Sequence, residues 1–106
     1  MENVIASYFG YEVNNLNFHQ TCSACPEQYD VYDENNSYIG YVRLRWGELR
    51  ADYIDEYQGI EEEVFFEKLD DFQGNFINEE QRSHYLNEIA TVLNEWRRYN
   101  VNVEQR

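Results

Sequence analysis

Apolar and polar residues alternate through the middle of the chain, and this alternation predicts a β-meander over 28–67. In the clearest segment, 38–46, Val42, Leu44 and Trp46 share one face of a strand, while polar and aromatic residues take the other face. Clusters of turn-forming residues separate this segment from its neighbours. The pattern predicts further strands over 28–33, 49–53 and 62–67, with turns over 34–37 and 47–48.

The spacing of apolar residues changes from two to about 3.6 after this meander, which predicts a C-terminal helix over 78–98. Asn78 is the expected N-cap, and Gln81 three residues later completes a capping box. Asn100 is the expected stop. The apolar face of the helix is formed by Tyr85, Leu86, Ile89, Val92, Leu93 and Trp96.

The first 27 residues have a weaker pattern. Val4, Ile5, Tyr8 and Phe9 fall on one helical stripe, which predicts a short N-terminal helix. The polar stretch 14–27 is expected to be a loop.

These elements predict one α+β domain over 1–106, with segments 1–27, 28–67 and 78–98. A chain of this length is most simply a single domain. The expected fold is a small antiparallel sheet of three or four strands, covered on one face by the C-terminal helix. The expected core is Leu44, Trp46, Leu49, Tyr53, Leu86, Ile89, Leu93 and Trp96.

Charge narrows the classes of partner. Acidic residues outnumber basic ones by 21 to 8, which gives a net charge of −13. A surface this negative repels nucleic acid and anionic membranes and attracts basic proteins. The densest acidic segment, here called the acid block, consists of Glu61, Glu62, Glu63, Glu67, Asp70, Asp71, Glu79 and Glu80.

The acid block has two interpretations. Carboxylates on a rigid scaffold can imitate the phosphates of a duplex, so that a basic groove on a nucleic-acid-binding protein accepts the chain as a decoy. Phe65, Phe66, Phe72 and Phe76 lie among these acids, and those left outside the core would supply apolar anchors. Alternatively, the block is a solvated loop and strand edge whose charge discourages aggregation.

A second candidate site is the basic cluster of Arg43, Arg45 and Arg50, which is flanked by aromatic residues. If the hairpin register is as predicted, all three lie on the outer face of the sheet. Arginine forks recognise phosphate and carboxylate, so this face could bind a nucleotide or another anion. The alternative is that these arginines pair with acids on neighbouring strands and hold the register.

A third candidate is His19-x-x-Cys22-x-x-Cys25, whose spacing suits zinc ligands. Zinc requires four ligands and this motif offers three, so a zinc-stabilised module, a redox pair and plain reduced thiols all remain open.

Motifs for catalysis are missing from the sequence. It contains no Gly-rich phosphate loop, no GxSxG and no HExxH. We therefore expect a protein that is not an enzyme and, zinc apart, has no cofactor. No apolar run approaches the ~20 residues that span a bilayer, and the N-terminus lacks the features of a signal peptide. A cytoplasmic location is expected.

The runs CPEQYDVYD (25–33) and GYVRLRWG (40–47) resemble short uncharacterised proteins of bacterial and phage genomes, and the similarity extends over most of 20–98. In size and acidity the chain also resembles phage inhibitors of restriction and CRISPR nucleases, including DNA mimics. The resemblance implies a phage anti-defence protein that binds a nuclease or another nucleic-acid-binding protein. The uncovered outer sheet face leaves room for a homodimer.

Overall fold

The computed structural model describes residues 4–7, 9–22 and 26–104, with the backbone alone for 101–104. The elements in chain order are β1 (Val4–Ala6), β2 (Gly10–Val13), β3 (Leu16–Cys22), β4 (Glu27–Tyr32), β5 (Tyr38–Arg45), β6 (Glu48–Asp55), β7 (Ile60–Lys68) and α1 (Glu79–Glu104).

The strands form one antiparallel sheet in chain order, each paired with the next, and α1 packs on one of its faces. The prediction of an α+β fold with an antiparallel sheet and a C-terminal helix is confirmed. The prediction of three or four strands is wrong, because the sheet has seven. The predicted meander corresponds to β4–β7, and β1–β3 extend the sheet on the β4 side.

The three additional strands replace the predicted N-terminal helix and loop. Val4 pairs with Val13 of β2, and Tyr8 lies outside the described residues. Within the segment predicted as a loop, Leu16 and Phe18 are fully buried on the inner face of β3. Asn14 and Asn15, both with positive φ, form the two-residue turn between β2 and β3, and asparagine is favoured in such turns.

The turn between β5 and β6 removes Trp46 from the core. Arg45 pairs with Glu48, so Trp46 and Gly47 are the two residues of the turn, which begins one residue earlier than predicted. Their φ values are 54° and 74°, as a two-residue hairpin turn requires. The predicted burial of Trp46 is wrong, because its side chain is 63% exposed.

The start of α1 follows the sequence prediction closely. The Gln81 backbone N–H donates to Asn78 Oδ1 at 2.8 Å, which confirms the N-cap. The Gln81 side chain accepts from the backbone N–H of Ile77 at 3.0 Å rather than from that of Asn78, so the capping box is shifted by one residue. The helix does not stop at Asn100 but continues to Glu104.

The core lies between the inner sheet face and α1. A Cβ atom on Gly40 would be 3.1 Å from Leu93 Cδ1, so the missing side chain lets the helix approach β5 closely. Of the predicted core residues, Trp96 is half-buried, and those fully in the core are Leu44, Leu49, Tyr53, Leu86, Ile89 and Leu93. Within the described ranges, no helix combines the length and apolarity needed to cross a membrane.

Candidate functional site

Four carboxylates of the acid block lie on β7, a strand at the edge of the sheet. The register places Glu61 and Glu63 opposite Ile54 and Asp52 of β6, on the outer face. Glu62 and Glu67 lie on the inner face, opposite Tyr53 and Leu49 of β6, and all four side chains are exposed. Folding therefore aligns these acids along one open edge.

Asp52 belongs to the same negative edge. Its carboxyl pKa is raised, first by burial and then by the charges of Glu61 and Glu63, while Arg43 and Arg50 oppose the shift. The electrostatic effect of two β7 glutamates on this group shows that the carboxylates are close enough to influence one another. A fifth acid, which the acid block did not include, thus joins the edge.

Most of the acid block carries no compensating charge. Three members form ion pairs: Glu63 with Arg50 at 2.6 Å, Asp71 with Lys68 at 3.5 Å and Glu79 with Arg82 at 2.6 Å. The other five make no ion pair with any residue that the structure describes; they are Glu61, Glu62, Glu67, Asp70 and Glu80.

The remaining members of the block lie away from the β7 edge. Asp70 and Asp71 are in the loop that follows β7, and Glu80 is in the first turn of α1. Glu79 accepts from the hydroxyl of Tyr11 on β2 at 3.5 Å, which places it on the far side of the sheet from β7. The structure thus gathers Glu61 to Glu67 but does not gather the whole block.

The three arginines lie on the outer face of the hairpin. Arg43 and Arg50 are directly opposite each other across β5 and β6. Arg50 donates to Glu48 at 2.9 Å and to Glu63 at 2.6 Å, so its fork is already occupied. Arg43 and Arg45 have no ion pair within the described ranges, and they are the cations available to an external anion.

The proposed metal ligands are only partly described. His19 packs between two rings, with centroid distances of 5.5 Å to Phe9 and 4.8 Å to Tyr32. Cys22 is a half-buried free thiol at the end of β3, and Cys25 lies outside the described residues. Among the residues placed by the structure, no cluster of three or more potential ligands could hold a metal ion.

Sequence reasoning missed a buried ion pair between Glu27 and Arg82. Arg82 Nε donates to Glu27 Oε2 at 2.7 Å, and its Nη2 donates to Oε1 at 3.1 Å. The hydroxyl of Tyr29 and the backbone N–H of Phe76 also donate to this carboxylate. Because every buried side-chain polar atom in the described region has a partner, we assign the group a structural role.

The tyrosines of this fold should make it sensitive to alkali. Burial, followed by the hydrogen bond to Glu27, raises the pKa of Tyr29 far above its ordinary value. Burial, followed by the charge of Asp30, raises the pKa of Tyr38 to about 12. A pKa that is higher in the folded than in the unfolded chain contributes stability below the unfolded value of about 10, and that stability is lost as pH rises through the folded value.

We therefore expect the free energy of unfolding to fall steadily above about pH 10. Tyrosinate absorbance and far-ultraviolet circular dichroism, recorded together, check this. Ionisation of the last tyrosines should coincide with loss of the fold. A single step near pH 10 that ionises all ten tyrosines and leaves the fold intact would contradict it.

Comparison with known proteins finds no family model, no curated protein and no solved structure that matches the chain.

Proposed function

We propose that this protein is a non-enzymatic inhibitor or adaptor whose β7 edge binds a basic surface on a nucleic-acid-binding protein. The observation that carries the proposal is the row Glu61, Glu62, Glu63 and Glu67, exposed on an edge strand, with only Glu63 neutralised among the described residues. Carboxylates left in water keep their charge available to a partner, and their field steers a basic protein toward the edge.

Exposed aromatic rings near these acids support the proposal. Phe66 is 46% exposed on β7. Beyond the end of that strand, Phe72 is 83% exposed, and its ring centroid lies 6.3 Å from that of Trp46. Aromatic anchors provide much of the binding energy at protein interfaces, whereas charges set the rate and specificity of association.

The spacing of the carboxylates on β7 limits how closely the strand can imitate the charge of DNA. Glu61 and Glu67 are six residues apart, or about 20 Å along a strand, so the four carboxylates are on average roughly 7 Å apart. A DNA strand carries a charge about every 3.4 Å and the duplex about every 1.7 Å. We therefore expect binding that depends less steeply on salt than DNA binding to the same target.

The test is a binding titration of the purified protein against nucleases and other DNA-binding proteins with basic grooves, including restriction and CRISPR nucleases. Affinity should fall between about 50 mM and about 200 mM salt. The double variant Glu61→Gln/Glu62→Gln should bind about tenfold more weakly, since each exposed charge contributes up to about 1 kcal/mol.

The matched control is Glu12→Gln/Glu95→Gln, which removes two exposed charges from β2 and α1 and leaves β7 unchanged. It should retain nearly full affinity. If both variants weaken binding equally, the affinity depends on net charge alone and not on the β7 edge. If the β7 variant instead self-associates and no target binds at low salt, the acids only protect a strand edge and the proposal fails.

A further inference from the structure

A groove that has no β7 residue in its lining lies between the β5–β6 side of the sheet and the C-terminal part of α1. It encloses about 460 Å³ and is lined by the start of β5, the end of β6 with its following turn, and α1. Three tyrosines line it: Tyr38 is half-buried, Tyr53 is buried and Tyr57 is 93% exposed. Aromatic rings attract organic cations, more strongly when water is excluded.

Acceptor atoms without a counter-charge face the same groove. Glu56 lines it and makes no ion pair within the described part of the chain. Asp55 accepts from the backbone and the side chain of Gln58, at 3.1 and 2.9 Å, and each carboxylate oxygen keeps a further lone pair. The charge of Glu56 is among the causes that raise the Tyr38 pKa, which indicates that Glu56 and the Tyr38 phenol are near each other.

Asn100 supplies an acceptor from the helix side. Its side chain lines the groove and the residue is only 7% exposed. Its Nδ2 donates to the Trp96 carbonyl at 2.8 Å, and its Oδ1 accepts from no residue that the structure describes. Because no buried side-chain polar atom in the described region lacks a partner, this oxygen reaches solvent, where an incoming donor can bind it.

The groove's own cation does not satisfy these acceptors. Arg97 donates to the carboxylate of Glu34 and to Asn94 Oδ1, the latter at 2.9 Å, and its Nη1 lies 3.5 Å from Asp33. Asp33 also accepts from two backbone N–H groups of the β4–β5 turn. Arg97 is therefore occupied by Glu34 and Asp33, and it leaves the charges of Asp55 and Glu56 unneutralised.

From the aromatic lining, the two carboxylates and the solvent-accessible amide oxygen, we propose that this groove binds the basic side chain, arginine or lysine, of a partner protein. The apolar Ile39 and Ile54 line the same groove and would contact the methylene stem, as long basic side chains prefer. That the side chain belongs to a partner protein rests on the function proposed above. The preference of the groove for a cation does not depend on that function.

The test is a nuclear magnetic resonance titration of the ¹⁵N-labelled protein with Nα-acetylarginine amide and Nα-acetyllysine amide. Amide shifts should concentrate at 37–39, 53–57 and 97–100. The neutral isostere Nα-acetylcitrulline amide should cause no such shifts. Equal shifts from the citrulline compound, or arginine shifts confined to β7, would overturn the inference.

A pair of matched variants locates the site. Glu56→Gln/Tyr57→Ala removes one charge and one exposed ring, and should weaken arginine binding about tenfold. Glu95→Gln/Tyr99→Ala removes the same groups from the neighbouring groove beside Trp96 and should leave binding unchanged. Equal losses in both variants would contradict the assignment. The small-molecule probes need no partner protein. The inference about the groove can therefore fail while the proposed function of the β7 edge is confirmed, or the reverse.

Discussion

Replacing Glu27 with alanine should destabilise the fold by about 3–5 kcal/mol, because it removes the buried partner of the Arg82 charge. The Glu27 side chain is 1% exposed and that of Arg82 is 15% exposed. The same substitution removes the acceptor of the Tyr29 hydroxyl and of the Phe76 backbone N–H. Domains of this kind have about 5–15 kcal/mol of stability in total. Urea unfolding followed by tryptophan fluorescence measures the loss.

The same arginine provides the control. Glu79 also binds Arg82, at 2.6 Å, but its side chain is 72% exposed. Glu79→Ala should cost no more than about 1 kcal/mol, as exposed ion pairs do. Glu27→Gln keeps one acceptor oxygen and should fall between the two, which covers the case in which Glu27→Ala does not fold. Equal losses of stability in the Glu27 and Glu79 variants would contradict this, because they would show that the buried ion pair between β4 and α1 contributes no more than the exposed one.

Replacing Gly47 with alanine should cost about 2–4 kcal/mol, the sum of left-handed backbone strain and overpacking. Gly47 has a φ of +74°, and a Cβ atom there would lie 2.1 Å from the carbonyl oxygen of Asp70. The loop after β7 would have to move, although two hydrogen bonds hold it to Gly47. The Leu69 backbone N–H donates to the Gly47 carbonyl at 2.6 Å, and the Gly47 N–H donates to the Gln73 carbonyl at 2.8 Å. The midpoint of thermal or urea unfolding reports the change.

Gly59 separates the two contributions. Its φ of +71° is nearly the same, but a Cβ atom there would meet nothing within 4 Å. Gly59→Ala should therefore cost only about 1 kcal/mol, the backbone strain alone. A Gly47 variant that is no less stable than the Gly59 variant would contradict the overpacking contribution, because it would show that the loop after β7 moves aside with no loss of stability.

Elements with a regular local pattern were predictable from the sequence. The strands that became β4, β5 and β6 alternate between faces, and α1 begins at the predicted cap, Asn78. β3 was missed because its alternation is short: only Leu16 and Phe18 are buried, and the strand then continues through the exposed polar residues Gln20 and Thr21. The Asn14-Asn15 pair between Val13 and Leu16 was the available signal for a hairpin. Trp46 was misplaced because the alternation was extended one residue into a turn.

The candidate site was only partly predictable, because its key features depend on residues distant in sequence. The run Glu61-Glu62-Glu63 in a predicted strand indicated neighbouring carboxylates, but only the strand order shows that β7 is an edge. Glu27 and Arg82 are 55 residues apart, and no local pattern links them. The acceptors of the tyrosine-lined groove likewise come from β6 and α1, which meet only in the folded chain.

The central claim is that the β7 edge is the surface that a basic partner covers. Amide hydrogen exchange of the protein, free and bound to the target from the titration, tests it most directly. New protection should concentrate on Ile60–Lys68 and the neighbouring Asp52. Protection on β1–β4 with unchanged exchange along β7 would contradict it.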